Sequence, residues 1–192
     1  EVPAMARAQG ATLPLFPAAD KPLLMLLDAH AMVHRSFHAI SRQGHLSVSA
    51  TGEDTSGVYG FVNVFLRALQ DWTPTHCAIA FDTPAPTFRH QSFEQYKAQR
   101  EAAPPELRHQ FQRVKQLMQA FGVPIFEVDG YEADDLIGTI CRQAEALDMD
   151  TLILTGDRDT FQLVSSRVRV DLASGIQDHR VYNDAELAAR YS

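Results

Sequence analysis

Seven carboxylates in this chain are spaced as if they shared one task. Three of them, Glu132, Asp134 and Asp135, crowd into GYEADDLIGT at residues 130–139. Acids this close repel one another and are rarely buried without a partner. Three more close short apolar runs: Asp28 ends LLMLLD, Asp82 ends HCAIAFD and Asp157 ends TLILTGD, with Asp159 two residues further on. A lone carboxylate pair would suit acid–base work on a sugar. A larger all-oxygen set, with no His or Cys in the cluster, suits hard divalent cations: Mg²⁺, with Mn²⁺ as a substitute. Two such ions about 4 Å apart stabilise the attacking and leaving oxygens of an in-line phosphoryl displacement.

The elements around these acids predict how they meet. Residues 23–28, 76–82, 123–128 and 151–157 are apolar runs of strand length, and 167–172 is a fifth. Between them lie helix-period stretches: 31–40, then SGVYGFVNVFLRALQDW at 56–72 with Ser56 as its N-cap, 106–121 stopped by Gly122, and 133–147. A last helix spans 184–191. Strands alternating with helices predict a largely parallel α/β sheet. In such sheets the functional site lies outside the carboxyl ends of the strands, which is where Asp28, Asp82 and Asp157 fall. Glu132, Asp134 and Asp135 open a helix that follows a strand, so they reach the same edge. Each acid alone could equally cap a helix or face water. Four separate segments obeying one topological rule favour a common site.

Composition narrows the partners. The 192 residues are 45% hydrophobic, with a formal charge of −7. That total argues against a nucleic-acid partner, but the distribution does not. Residues 88–115 hold six basic residues (Arg89, Lys97, Arg100, Arg108, Arg113, Lys115) against three acids, and residues 127–159 hold ten acids against two arginines. A polyanion could use the first segment directly and approach the second only through cations. Residues 83–105, with four of the ten prolines, read as a long irregular segment carrying the basic cluster. Residues 1–20 read as a flexible lead-in ahead of one domain at 21–192. The opening Glu predicts a fragment or a processed chain. No apolar run approaches membrane-spanning length, and no secretory signal opens the chain. Cys77 and Cys141 read as reduced core thiols of a cytoplasmic protein.

The segments LLMLLDAHAMVHRSFHAI, VYGFVNVFLRAL, AFDTPAPTFRHQSFEQYKAQR, GYEADDLIGT and TGDRDTFQLVS together resemble the flap-endonuclease family, and within it the 5′-nuclease domains of bacterial DNA polymerase I. The resemblance runs in order from about residue 22 to 191. It implies a PIN-like (resolvase-like), mostly parallel twisted sheet flanked by helices, with a basic helical-arch segment. It implies a structure-specific, metal-dependent 5′-nuclease acting on DNA with a 5′ flap or nick in replication and repair, in the bacterial nucleoid. Asp28, Asp82, Glu132 and Asp134 would serve a first Mg²⁺, and Asp157 and Asp159 a second. Asp135 would lie between the two or behind them. Lys97 and Arg100 would contact the scissile phosphate, while Arg89 binds the DNA backbone and Tyr96 stacks on the terminal base or simply packs. Arg108, in the basic segment, is read as a further backbone contact. Family members continue into a helix–turn–helix region that adds ligands to the second metal, whereas this sequence ends at Ser192; the expectation is a poorly held second ion and weak activity of the chain alone. Asp28 is followed by Ala29 where the family usually has Gly.

Two rival readings keep other classes open. A PIN-class ribonuclease would need no long basic segment, and a catalytically impaired DNA-binding module would not need all seven acids. The lead-in carries TLPLF, whose Leu13–Phe16 resemble the Leu-x-Leu-Phe peptides that dock on the bacterial sliding clamp; a flexible tail is the simpler reading. A downstream polymerase domain is the other partner the resemblance implies. His30, His34 and His38 are spaced four apart and share a helix face, a spacing that can bind a transition metal but more often serves packing or DNA contact.

Overall fold

The computed structural model describes residues 21–42, 44–93, 95–97, 104–173 and 178–191. Six strands form one sheet in the order β3-β2-β1-β4-β5-β6: β1 Leu23–Asp28, β2 His76–Ala80, β3 Ile125–Phe126, β4 Asp150–Thr155, β5 Val168–Ala173 and β6 His179–Tyr182. The first five are parallel. β6 runs antiparallel to β5, pairing Val170 with Tyr182 and Ala173 with His179. It was not among the expected strands. HRVY is only four residues long with His179 and Arg180 opening it, and it forms an edge, where an apolar run is not required.

Burial on both faces explains why β1 and β4 read as unbroken apolar runs. Leu24 and Leu26 of β1 and Ile153 of β4 face one core. Met25, Leu27, Leu152 and Leu154 face the other. The helices are α1 Ala29–Ser41, α2 Ser56–Trp72, α3 Phe88–Ser92, α4 Pro105–Ala120, α5 Ala133–Ala146 and α6 Asp184–Tyr191. α1, α2 and α4 supply Phe37, Phe61, Phe65, Leu107 and Met118 to the second core. α5 supplies Leu136, Ile137 and Ile140 to the first.

Three local features depart from the sequence reading. The third strand is two residues long rather than six, because Pro124 has no N–H to donate and the strand is an edge. The irregular stretch at 83–105 contains the short helix α3. Ser56 is the first residue of α2 rather than its cap. Its hydroxyl accepts from the Leu46 N–H at 2.9 Å instead. The open N–H groups of α2 are met from another helix: Gln110 of α4, fully buried, accepts with Oε1 from Gly57 N–H at 2.5 Å and Val58 N–H at 3.2 Å. Gly60 of α2 lies so close to α1 that a Cβ there would stand 2.6 Å from the Ser36 Cβ. Gly122 ends α4 in the left-handed region, as expected, at φ +70°.

Candidate active site

Sheet order decides where the acids go. The chain moves outward from β1 to β2 and β3, then returns to the other side of β1 for β4 and β5. The reversal lies between β1 and β4, and the crevice outside their carboxyl ends is the place such sheets use for ligands. A hollow of about 860 Å³ opens there, with Asp28, Asp82, Glu132, Asp134, Asp157 and Asp159 in its lining. Six of the seven expected acids are thus brought together, from four segments of the chain.

Each acid is held by its element. Asp28 ends β1 and caps α1, accepting from the Ala31 N–H at 3.1 Å. The Thr155 hydroxyl donates to its other oxygen at 2.7 Å, and the same Thr155 oxygen accepts from the Asp157 N–H at 3.0 Å. Asp28 is only 4% exposed. Burial, reinforced by the charges of Asp134 and Asp82, pushes its carboxyl up to about 7 against those two hydrogen bonds. Asp82 accepts from the Ala133 N–H at 2.7 Å and so ties β2 to the first turn of α5. Asp134 accepts no hydrogen bond from any described residue. Burial, then the charges of Asp157 and Asp82, raise it to about 6. Asp157 caps the 3₁₀ turn Arg158–Leu163, accepting from the Asp159 N–H at 3.0 Å.

Asp135 is set apart from the other acids. Both its oxygens are 2.7 Å from the Arg89 guanidinium in a two-pronged pair. One of them also accepts from the Glu132 N–H at 3.0 Å. The Arg89 hydrogen bonds, helped by the Glu132 N–H, pull its carboxyl below the ordinary range against the effect of burial. Asp135 therefore braces the turn, and Arg89, expected against DNA, is engaged by Asp135 and lies 3.8 Å from Glu132. Glu132 also takes the Lys97 ammonium at 2.9 Å and the Tyr96 hydroxyl at 3.1 Å. Burial lowers the Lys97 ammonium, but the Glu132 hydrogen bond and charge outweigh it, so it is raised on balance. Lys97 sits at φ +55°, a region uncommon for residues with a side chain. Arg108 lines the hollow. Arg100 and the clamp-like Leu13–Phe16 lie outside the described residues.

Among the described residues, no three His, Cys, Asp or Glu side chains are drawn into a ready-made cage. The donor set nonetheless fits a hard cation. It is all oxygen, Asp134 accepts no hydrogen bond from the described residues, and burial together with neighbouring carboxylates raises Asp28 and Asp134, a penalty on their charged forms that a cation would relieve.

Sequence reasoning overlooked two contributors, Thr155 and Arg35, and singled out His30 only for its helical spacing. Thr155 bridges Asp28 and Asp157, and its place in TGDRD was the available signal. His30 accepts from the Asp82 N–H at 3.2 Å and stacks on Phe111 at 4.3 Å. Arg35 donates to the Gly156 carbonyl at 2.7 Å, fixing the turn before Asp157, and nothing local in the sequence marks that reach.

A mostly parallel sheet with acids collected at its reversal, and a lysine and tyrosine laid over one of them, defines a resolvase-like α/β domain with a carboxylate site. More narrowly, residues 23–192 match the model of the 5′-3′ exonuclease N-terminal resolvase-like domain, and the chain belongs to that family. It is 44% identical over 173 residues to DNA polymerase I of Chloroflexus aurantiacus, covering 88% of this chain and 18% of that protein. Against DNA polymerase I of Bacillus caldotenax the identity is 37% over 172 residues, 89% of this chain and 19% of that one. The chain thus spans less than a fifth of the length of these curated relatives. Among solved structures, the T5 D15 flap endonuclease superposes with a TM-score of 0.64 at 17% identity, over 88% of this chain and 60% of that one. The catalytic core of Rad2 gives 0.52 at 16% identity, over 89% of this chain and 49% of that one. Both are likenesses of fold. Among the described residues no helix is long and apolar enough to cross a membrane.

Proposed function

We propose that this domain is a divalent-metal-dependent 5′-nuclease that hydrolyses DNA phosphodiesters at 5′ flaps or nicks. The observation that carries the reading is the gathering of six acids at the sheet reversal, with Lys97 and Tyr96 over them. Membership of the 5′-3′ exonuclease family agrees with it, as does a related fold, the T5 D15 flap endonuclease, that has been crystallised with DNA and metal ions. On this reading Asp28, Asp82, Glu132 and Asp134 hold one Mg²⁺, and Asp157 and Asp159 contribute to a second. The ions supply charge neutralisation and an activated water at the phosphate. The chain's own residues do the rest. Thr155 and the Ala31 N–H hold Asp28 in one orientation, and the Ala133 N–H does the same for Asp82. Asp135 and Arg89 lock the first turn of α5, so that Glu132 and Asp134 project into the hollow. Lys97 exchanges Glu132 for the scissile phosphate, where its ammonium meets the developing negative charge. Arg100 and Arg108 contribute to phosphate binding, and Tyr96 is placed to stack on a terminal base. The DNA polymerase I relatives make a polymerase unit in the same protein the expected partner.

The test is cleavage of a 5′-flap DNA, a blunt duplex and a single-stranded RNA, each with Mg²⁺ or with chelator. Mg²⁺-dependent release of the DNA flap, lost in Asp134→Asn, is expected. Cleavage of the RNA with the flap left intact would move the domain to the ribonuclease reading. Flap binding without cleavage of any substrate would make it a DNA-binding module.

A further inference from the structure

On the wall of the same hollow, α1 presents His34 and His38 one turn apart, and both are exposed. Their Nε2 atoms are 3.4 Å from each other and their ring centroids 4.4 Å. That separation is long for a hydrogen bond, which prefers about 2.7–3.2 Å. It matches another requirement. Two ligand nitrogens, each 2.0–2.1 Å from a tetrahedral zinc, lie roughly 3.3–3.4 Å apart. We propose that His34 and His38 form a two-imidazole site for a zinc-type transition-metal cation, distinct from the carboxylate site.

Three observations support it. The two side chains project from one face of a thirteen-residue helix whose opposite face is packed through Met32, Val33, Phe37 and Ile40, so the spacing between them is held by a rigid element. The Phe37 ring lies edge-on to His38 at 5.3 Å and limits how its imidazole can turn. The donor chemistry also separates the two sites: imidazole suits Zn²⁺, Cu²⁺ and Ni²⁺, whereas Mg²⁺ takes oxygen. His30, one turn earlier on α1, is excluded from the set because its Nδ1 accepts from the Asp82 N–H. With two protein ligands the ion keeps its other positions for water or a phosphate oxygen. The inference stands on α1 alone and does not depend on nuclease activity.

The experiment is calorimetric titration of Zn²⁺ into the protein in excess Mg²⁺, which occupies the carboxylates. Wild type and Asp134→Asn should each bind one Zn²⁺. His34→Ala and His38→Ala should each weaken binding by at least about tenfold, the least expected when even a ligand's supporting partners are damaged. Circular dichroism of each variant confirms that α1 is intact. If wild type binds no Zn²⁺, or both histidine variants bind it as wild type does, the proposal is overturned. Binding lost in Asp134→Asn but kept in His38→Ala would place the ion on the acids and overturn it equally.

Discussion

Replacing Asp28 with Asn should make the metal-free domain more stable at neutral pH, although Asp28 is the most deeply buried acid of the site. Its carboxyl has an ordinary value of 3.8 and is pushed up to about 7 in the fold, chiefly by burial. An acid whose folded value is raised costs nothing below its unfolded value. The cost grows as the unfolded chain ionises first, and it is complete above the folded value. For Asp28 that window runs from about pH 4 to about pH 7. At 1.36 kcal/mol per unit, the ceiling is about 4 kcal/mol above neutrality. Asn removes the charge while keeping an oxygen for the Ala31 N–H. It also forces the Thr155 hydroxyl, which now donates to Asp28, to find another acceptor, at about 1 kcal/mol. A net gain of about 1–3 kcal/mol, several degrees in Tm for a domain of this size, is expected at about pH 8. The gain should shrink by about 2–3 kcal/mol at about pH 5, where the native Asp28 is itself mostly protonated. The assay is thermal unfolding of both proteins in chelator at the two pH values. Mg²⁺ should then raise the Tm of the parent more than that of Asp28→Asn, since the parent's charge is what the ion neutralises. An Asn variant less stable than its parent near pH 8, or a gap indifferent to pH, would refute the reasoning.

Lys97→Ala should lower the single-turnover cleavage rate about 10²–10³-fold while leaving Mn²⁺ binding unchanged or tighter, because Glu132 is released from its ammonium partner; cleavage and calorimetry read the two separately. Gln110→Ala strands the Gly57 and Val58 N–H groups at the start of α2 and should cost about 2–3 kcal/mol in urea unfolding. Gly60→Ala, which elsewhere in a helix would stabilise, should destabilise by about 1–3 kcal/mol because its methyl meets Ser36, and Ser36→Gly should restore part of the loss. Arg89→Ala removes both hydrogen bonds to Asp135; on a half-exposed pair the loss should be about 1–2 kcal/mol, falling in high salt.

Much of this architecture was legible because parallel strands buried on both faces must be apolar throughout, and β1 and β4 are. The acids were legible because each closes such a run or opens the following helix. What stayed hidden depends on contacts without local periodicity. Gln110 accepts from the Gly57 N–H, 53 residues before it in the chain, and a glutamine in the middle of a helix announces no such reach. Asp135 sits in the same cluster as Glu132 and Asp134, and only the fold shows that Arg89 claims it. Ser56 had the right type for an N-cap, but Asp54 Oδ1 accepts its N–H at 2.8 Å while its hydroxyl serves Leu46.

The hydrogen bond between Thr155 and Asp28 spans 127 residues of chain. β1 has β2 on one side and β4 on the other, so the seat of the acids exists only after the chain has come back to the strand on which it began. Contacts so distant in sequence require a large loop to close before they contribute anything, and they form late. During synthesis, Asp28 and Asp82 leave the ribosome well before residues 150–157 can dock beside them. A nascent chain therefore carries the first acids without the crevice, and the gathered carboxylate site would form only once β4 has docked beside β1. In the finished molecule the same dependence works in reverse: a fluctuation that frees β4 would dismantle the crevice while the β1–β2 pair stayed intact.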